Sequence, residues 1–248
     1  MYDTYKPGSY YSKSELSIDD YSIPDILGYP VSWIWKGNGM GMEGRRKESV
    51  YFDLLFQRHP ELLSLQEMVW NSYETIRDVY RNQGKLMICG NGGSAADADH
   101  IVGELMKGFL KKRELPREKC LLFGELSQGL QGALPAIALT QHGALNTAYM
   151  NDVEPSMIFA QQVYGYGKPG DVLLAISTSG NSLNVNNAVR VAKKCGIKII
   201  GMTGKEGGLL RRLADICITV PESETAYVQE DHVAVYHTLC AMLEEYFF

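Results

Sequence analysis

The sequence predicts an α/β fold of three layers, in which a doubly wound sheet of five parallel strands lies between two layers of helices. The first observation is that five short apolar runs recur along the chain, as expected for parallel strands buried on both faces. The second is that helical segments separate these runs, which favours right-handed crossover connections. The runs are KLMICG at 85–90, LPAIALT at 134–140, DVLLAIST at 171–178, KIIGMTG at 198–204 and ICITVP at 216–221.

Helical segments lie before, between and after the apolar runs. Residues 61–83 carry apolar side chains at helical spacing until Gly84 ends the pattern, which predicts a long N-terminal amphipathic helix. The last element is expected to be a helix over about 227–246, for the same reason. Between the strands, helices are expected from Ser94 and over 155–166, 184–195 and 208–214.

Two segments fall outside this alternation. Residues 1–50 are rich in Tyr, Ser, Gly and Pro without a sustained period, so we expect an irregular N-terminal extension before a domain over 51–248. Residues 110–132 are long for a connection between a helix and a strand, which commonly has about 2–6 residues. We therefore expect an inserted loop there.

Composition narrows the class of protein. The net charge of −5 argues against a nucleic-acid surface, because binding to a phosphate backbone requires clustered positive charge. The five cysteines form no C-x-x-C pair, and the N-terminus lacks the apolar core of a secretory signal. No window approaches the roughly 18 consecutive apolar residues of a membrane span. We expect a cytoplasmic protein that does not bind membranes or nucleic acids.

A polar turn follows the third strand. The run Ser177-Thr178-Ser179-Gly180-Asn181-Ser182 leads directly into a helix, so its hydroxyl groups and the free N–H groups of the helix could bind a phosphate monoester. A helix cap with no ligand is the alternative, and the sequence alone leaves both open. The spacing typical of nucleoside triphosphate sites, G-x-x-x-x-G-K-[ST], is absent from the turn.

A glycine-rich turn follows the first strand. Gly90, Gly92 and Gly93 allow the backbone to approach a ligand closely, and Ser94 is expected to cap the next helix together with Asp97. The turn is a second candidate site for an anion or a sugar.

Polar residues on two helices are candidates for a metal site. His100 and Glu104 are spaced i, i+4, which places them on one helical face, although an ordinary exposed pair has the same spacing. His237 stands among apolar residues and is either a core histidine or a ligand. Helical periodicity pairs His237 with Glu230 better than with Gln229.

Taken together, these motifs resemble those of the SIS-domain sugar isomerases, and within them the phosphoheptose isomerases. The resemblance covers about residues 61–248 and implies a flavodoxin-like SIS fold. The residues that carry it are GNGGSAADADHIVGEL at 90–105, ND at 151–152, STSGNS at 177–182 followed by NVNNAV, TGKEGG at 203–208 and VQEDHVAVYH at 228–237.

The resemblance implies roles for individual residues. It implies one zinc ion per subunit with His100, Glu104, Gln229 and His237 as ligands, and so favours Gln229 over Glu230. Glu104 and His237 would also be the acid/base pair. The implied substrate contacts are Asn91, Gly92, Gly93, Ser94, Glu104, Asn151, Asp152 and Gln229, with Ser177, Thr178, Ser179 and Ser182 around the phosphate.

The function implied is an aldose-ketose isomerase that converts D-sedoheptulose 7-phosphate to D-glycero-D-manno-heptose 7-phosphate through a cis-enediol, in heptose biosynthesis. The family resemblance further implies a homotetramer with sites at subunit interfaces. Two alternatives remain: the same chemistry on another phosphosugar, or a non-catalytic SIS protein that binds a sugar phosphate or a protein. The donor set could also hold nickel or iron. The turn Gln141-His142-Gly143 departs from the family pattern, which leaves substrate length and stereochemistry open.

Overall fold

The computed structural model describes residues 47–248, so nearly all of the expected extension lies outside the described residues. The α-helices are α1 (Ser49–Arg58), α2 (Gln66–Arg81), α3 (Gly93–Met106), α4 (Arg117–Phe123), α5 (Gly143–Asp152), α6 (Ile158–Tyr166), α7 (Leu183–Lys194), α8 (Gly208–Leu213) and α9 (Thr225–Phe247). The strands are β1 (Leu86–Cys89), β2 (Ala136–Ala138), β3 (Val172–Ile176), β4 (Lys198–Thr203) and β5 (Ile216–Thr219). Short 3-10 helices span Pro60–Leu65, Gly124–Gly129 and Pro155–Met157.

The five strands form one parallel sheet in the order β2-β1-β3-β4-β5, which confirms the predicted fold class. The chain extends the sheet in one direction from β1 to β2 and in the other from β3 to β5. The strand order therefore reverses between β1 and β3, where doubly wound sheets bind their ligands. This topology brings the glycine-rich turn after β1 next to the serine-rich turn after β3.

The sheet is buried on both faces. Leu86, Ile88 and Leu174 belong to a core shared with α1, α2, α3 and α9. Met87 and Leu173 belong to a second core on the opposite face, packed against α6 and α7. Because both faces of each strand are covered, the strands have no polar face, which explains the continuous apolar runs.

The N-terminal boundaries differ from the prediction. Helix α1, which was not predicted, begins at Ser49 and so includes the last two residues of the expected extension. The helix expected over 61–83 begins instead as a 3-10 helix at Pro60 and becomes α-helical only from Gln66. Helix α5, another element that periodicity did not predict, has one buried residue, Asn146, so it lacks an apolar stripe.

The expectation of a loop over 110–132 was wrong, because the segment contains α4 and a 3-10 helix. Helix α4 buries no side chain, and Leu121 and Leu122 are 76% and 70% exposed. It therefore lacks the one-sided apolar pattern by which helices are found. Pro116 at its N-cap and Gly124, with a φ of 56°, at its C-cap are the local signals that bound it.

A buried ion pair fixes the start of this insertion. Arg113 Nε donates to Glu244 Oε1 over 2.7 Å, and the two side chains are 0% and 1% exposed. The guanidinium also donates to the carbonyl oxygens of Glu104 and Leu105, at 2.7 and 2.6 Å. The Glu244 carboxylate accepts the backbone N–H groups of residues 109 and 110. The pair thus ties the end of α3 and the insertion to α9.

The electrostatics of Glu244 follow from these contacts. Burial acts to raise the pKa of its carboxyl group, but the hydrogen bonds from the Phe109 N–H, Arg113 and the Leu110 N–H outweigh burial and lower it.

No helix in the described range 47–248 combines the length and apolarity that a membrane span requires.

We expect Glu244→Gln to destabilise the protein by about 3–5 kcal/mol, because it leaves the Arg113 guanidinium buried without a counter-charge. Urea unfolding at pH 7 measures this loss. Since folding lowers the pKa of Glu244, its stabilisation is present at pH 7 and declines as the pH falls below the ordinary glutamate value of 4.5. The difference in the free energy of unfolding between wild type and variant should therefore become smaller in acid.

The matched control is Glu114→Gln, which removes one partner of an exposed ion pair with Lys112. It should change stability by less than about 1 kcal/mol. Equal destabilisation by the two substitutions would contradict a special role for the buried pair.

Candidate active site

A cavity of about 280 Å³ lies where the carboxyl ends of β1 and β3 meet. It contains residues of both polar turns and two residues of α9. Among the described residues that line it, none carries a charge. The lining residues are Asn91, Gly92, Gly93, Ser94, Ile176, Ser177, Thr178, Ser182, Thr225 and Gln229.

Three helices begin at this cavity. Gly93 is the first residue of α3, Ser182 is the N-cap of α7, and Thr225 is the first residue of α9. None of the three N-termini receives a hydrogen bond from the side chain of its N-cap residue. Each helix start carries N–H groups without intrahelical partners and about half a positive charge. An anion in the cavity would be stabilised by all three helix starts.

The serine-rich turn supplies hydroxyl groups to the same cavity. Ser177 Oγ and Ser182 Oγ lie 3.0 Å apart, and both line the cavity together with Thr178. Gly180, with a φ of 66°, packs so tightly on the backbone of Gly207 that a side chain would overlap it. Ser179 is absent from the lining, and its Oγ accepts the Asn181 N–H over 3.2 Å.

The glycine-rich turn supplies backbone and amide groups. Ser94 does not cap α3 as predicted, because Gly92 occupies the N-cap position and Ser94 lies inside the helix at the cavity wall. Gly93 faces the Gln229 side chain so closely that an added Cβ would overlap Gln229 Nε2. Asn91 and Asn184 exchange two hydrogen bonds of 2.9 Å, which join this turn to α7.

A second set of polar groups lies further along α3 and α9. His100 Nε2 is 3.2 Å from Glu104 Oε1 and 3.5 Å from His237 Nε2. Two ligands bound tetrahedrally to one zinc ion at roughly 2.1 Å are about 3.4 Å apart, so both distances fit a shared ion. Burial, followed by the nearby His100, lowers the pKa of His237, which favours the neutral form that ligates metals.

His100 is oriented by a relay that sequence reasoning missed. Tyr236 Oη donates to Asp97 Oδ1 over 3.3 Å and lies 3.1 Å from His100 Nδ1. With that donor direction, Nδ1 of His100 carries the proton, and its Nε2 lone pair faces Glu104 and His237. Burial raises the pKa of Asp97, while the Tyr236 hydrogen bond and His100 oppose that rise. The i, i+3 spacing of Asp97 and His100 was the available signal.

Two other neighbours of this set were also missed. Lys107 Nζ lies 3.4 Å from Glu104 Oε2, so the carboxylate has a cation beside it. The ring of Phe109 stacks on His237, with centroids 5.5 Å apart and planes at 23°. On the other side of α3, Asp99 accepts hydrogen bonds from Thr140 and from Gln141 of the divergent turn.

Four of the predicted residues, Ser179 among them, do not join the groups expected. Gln229 precedes His237 by eight residues of one helix, or about 12 Å, and lies at the cavity wall. Its expected role as a fourth metal ligand stays a prediction. Asn151 and Asp152 end α5, bond to each other over 2.7 Å and do not line the cavity, so their substrate contact stays a prediction.

Another potential metal-binding group occurs among residues 47–248. Ligand atoms of His59, Glu61 and Asp231 all lie within 4.8 Å of one another. Burial raises the pKa of Asp231 to about 6, and the charges of Glu61 and Glu222 add to this effect. Sequence reasoning did not consider this group, because Asp231 lies 170 residues or more from the other two members and shares no motif with them.

The sequence of this chain is similar to those of known proteins. A family model described as SIS domain matches residues 124–204. A phosphoheptose isomerase from Rhodospirillum rubrum is 43% identical over 165 residues, 66% of this chain and 78% of that protein. Another, from a Nitratiruptor species, is 44% identical over 170 residues, 68% of this chain and 81% of that protein.

Solved structures agree with the sequence relatives. A phosphoheptose isomerase from Neisseria gonorrhoeae matches with a TM-score of 0.63 and 32% identity, over 79% of this chain and 96% of that one. One from Francisella tularensis matches with a TM-score of 0.64 and 33% identity, over 79% and 95%.

We expect Gly93→Ala to weaken the binding of inorganic phosphate about 10-fold or more, since crowding a packed site costs roughly 1–3 kcal/mol. The added methyl would displace the Gln229 amide into the cavity. Isothermal titration calorimetry measures the affinity. Gly103→Ala is the control, because it lies on the same helix with open space around its Cβ position. Equal phosphate affinity in wild type and Gly93→Ala would contradict this description of the cavity.

Proposed function

The chain belongs to the phosphoheptose isomerase family, and on this premise we propose that it converts D-sedoheptulose 7-phosphate to D-glycero-D-manno-heptose 7-phosphate. It is an aldose-ketose isomerase acting on a phosphosugar. The identity of the sugar is the proposed part. A role in heptose biosynthesis, upstream of nucleotide-activated heptose or glycan synthesis, follows from that product.

The observation that carries the proposal is the convergence of three helix N-termini on one uncharged cavity. Such a cavity suits the phosphate of a sugar phosphate. Two of these helices also carry the acid/base pair. On α3, His100, whose Nε2 lies 3.2 Å from Glu104 Oε1, stands six residues beyond Ser94, and on α9 His237 stands eight residues beyond Gln229. At about 1.5 Å per residue, these offsets are 9–12 Å. That spacing suits a long sugar held by its phosphate with the other end at Glu104.

The reaction moves one proton between carbons and one between oxygens. Glu104 takes a proton from C1 of the ketose, and the electrons form the C1–C2 double bond of a cis-enediol while O2 gains a proton. Return of the carbon-bound proton to C2 and loss of the O1 proton give the aldose. Both hydroxyl protons pass by way of His237, which supplies the proton that O2 gains and takes up the one that O1 loses, so the ring is unchanged after each turnover. The hydroxyl groups of Ser177, Thr178 and Ser182 hold the phosphate.

We further propose zinc as the cofactor. Two imidazole nitrogens and one carboxylate, from His100, His237 and Glu104, form a donor set that zinc accepts. When bound, zinc supplies polarisation of the substrate carbonyl and stabilises negative charge on the enediolate. The Tyr236–Asp97 relay supports this assignment, because ligating histidines commonly donate their other ring N–H to such a partner. Gln229 contacts the substrate in this proposal.

The remaining features are also proposals. Residues 51–248 form the catalytic domain in this view, with an insertion near 110–132 and an N-terminal extension over 1–50. We propose a cytoplasmic homotetramer, in which a neighbouring copy would complete each site. Asn151 and Asp152 lie outside the cavity of their own chain, so their proposed substrate contacts are the ones that would depend on a neighbouring copy.

We expect wild-type protein to convert sedoheptulose 7-phosphate to the aldose and, in D2O, to incorporate deuterium at C2, because the carboxyl of Glu104 exchanges its proton with solvent. Glu104→Gln should lower kcat by roughly 10²–10⁴-fold, as loss of a general base does. NMR follows both turnover and labelling. Five- and six-carbon ketose phosphates should turn over more slowly.

Glu118→Gln, on the exposed insertion, is the matched control and should keep wild-type turnover. Unchanged turnover in Glu104→Gln would refute the assigned base. Phosphosugar binding without turnover of any sugar in the panel would favour the non-catalytic alternative. Faster turnover of a shorter ketose would overturn the heptose assignment.

We expect dialysis against a chelator to lower turnover and added Zn²⁺ to restore it, because the carbonyl loses its Lewis acid. His237→Asn should show no such rescue. Elemental analysis of the purified protein identifies the native metal among zinc, nickel and iron. Full turnover by metal-free protein would contradict the zinc proposal.

A further inference from the structure

A second group of metal-ligating side chains lies away from the proposed catalytic residues. It joins His59 and Glu61, at the start of the 3-10 helix Pro60–Leu65, to Asp231 in the second turn of α9. His59 Nδ1 is 3.1 Å from Glu61 Oε1, and ligand atoms of all three residues lie within 4.8 Å of one another. Ligands of one tetrahedral ion are about 3.4 Å apart, so the group is compact enough for a single cation.

Asp231 gives the independent sign that a ligand belongs here. Its side chain is buried, with 8% of the residue exposed, and its Oδ2 has no hydrogen-bond partner among the described residues. A buried carboxylate without partners is costly, and native proteins normally pair such a group or use it to hold a metal.

The surrounding charges make a cation more favourable still. Glu61, Glu222 and Glu230 all act on Asp231 with negative charge, and His59 acts on it with the opposite sign. A neutral histidine therefore leaves the pocket with uncompensated negative charge. A divalent ion would balance two carboxylates and satisfy the unpaired oxygen.

We propose that His59, Glu61 and Asp231 bind a second divalent metal ion, a zinc ion or a similar first-row transition metal. One imidazole and two carboxylates suit these ions, whereas Mg²⁺ and Ca²⁺ prefer oxygen ligands alone. The ion would connect the 3-10 helix to α9, and its function is therefore structural. The site does not depend on the proposed catalysis.

This site is distinct from the one at His100, Glu104 and His237. Asp231 and His237 are six residues apart on α9, which is about 9 Å along the helix axis. Six residues also correspond to a turn of roughly 240° at 100° per residue, so the two side chains leave the helix on different faces. Neither His59 nor Glu61 contacts the proposed catalytic residues through any hydrogen bond of the described chain.

The test is the zinc stoichiometry of the untagged, metal-free full-length protein, titrated with Zn²⁺ against a chromophoric chelator. Wild type should bind two equivalents, and Asp231→Asn and His237→Asn should bind one each. The double variant should bind none. Losing a ligand should weaken binding at the altered site by more than the roughly 10–100-fold typical of outer-shell changes.

Two further variants show whether a lost equivalent of zinc reflects a lost ligand or a misfolded protein. His59→Gln changes a partly exposed side chain outside the core and should lose the same equivalent as Asp231→Asn. Glu67→Gln, an exposed carboxylate one turn beyond the 3-10 helix, should lose neither. Zinc should also raise the Tm of His237→Asn but not of Asp231→Asn/His237→Asn, since a ligand that binds only the folded state stabilises it.

The outcomes separate this proposal from that of the catalytic zinc. One equivalent in wild type, lost in Asp231→Asn and His59→Gln but kept in His237→Asn, supports the second site and refutes the catalytic zinc. One equivalent that is kept in Asp231→Asn and His59→Gln overturns the second site. Unaltered two-site binding in both of these variants overturns it as well.

Discussion

The unpaired N–H groups at the starts of α3, α7 and α9 are the constraint on which the rest of the site depends. Backbone donors left unpaired at a cavity are unfavourable, and the N-cap side chains of the three helices bond none of them, although Asn184 Oδ1 accepts the Val185 N–H within the first turn of α7. The strand order places them together, because β1 and β3 are neighbours and their carboxyl ends share one edge. An anionic ligand would accept hydrogen bonds from the N–H groups that have no partner within the fold.

The position of Glu104 and His237, the proposed acid/base pair, depends on how α3 packs on α9. The Arg113–Glu244 pair holds the two helices at one end, through the carbonyl oxygens of residues 104 and 105. Tyr236 joins them in the middle by contacting Asp97 and His100. Gln229 and Gly93 meet at the other end. Glu104 therefore has a fixed distance from the cavity at the helix starts, as the proposed reaction of a long sugar requires.

The sheet could be predicted from the sequence because strands buried on both faces leave an unbroken apolar run. The pairing of His100 with Glu104 followed from helical spacing, and the two turns followed from their composition. What could not be predicted depends on tertiary contacts: Thr225 reaching the cavity, Tyr236 between Asp97 and His100, and Asp231 meeting His59. Helix α4 could not be predicted because it makes too few tertiary contacts. It buries no side chain, so its sequence has no apolar residues at helical spacing that mark a buried face.

None of the described residues that line the proposed phosphate cavity is charged, and this affects how tightly a ligand is held. Attraction by a mobile lysine or arginine is strong at low ionic strength and is screened by salt, whereas helix ends and hydroxyl groups inside a cavity are fixed and short-ranged. Substrate and product carry the same phosphate, and neither forms an ion pair with the lining. In the proposed reaction such a cavity would hold both sugars with similar affinity, so that after each turnover the product could leave as readily as the substrate entered.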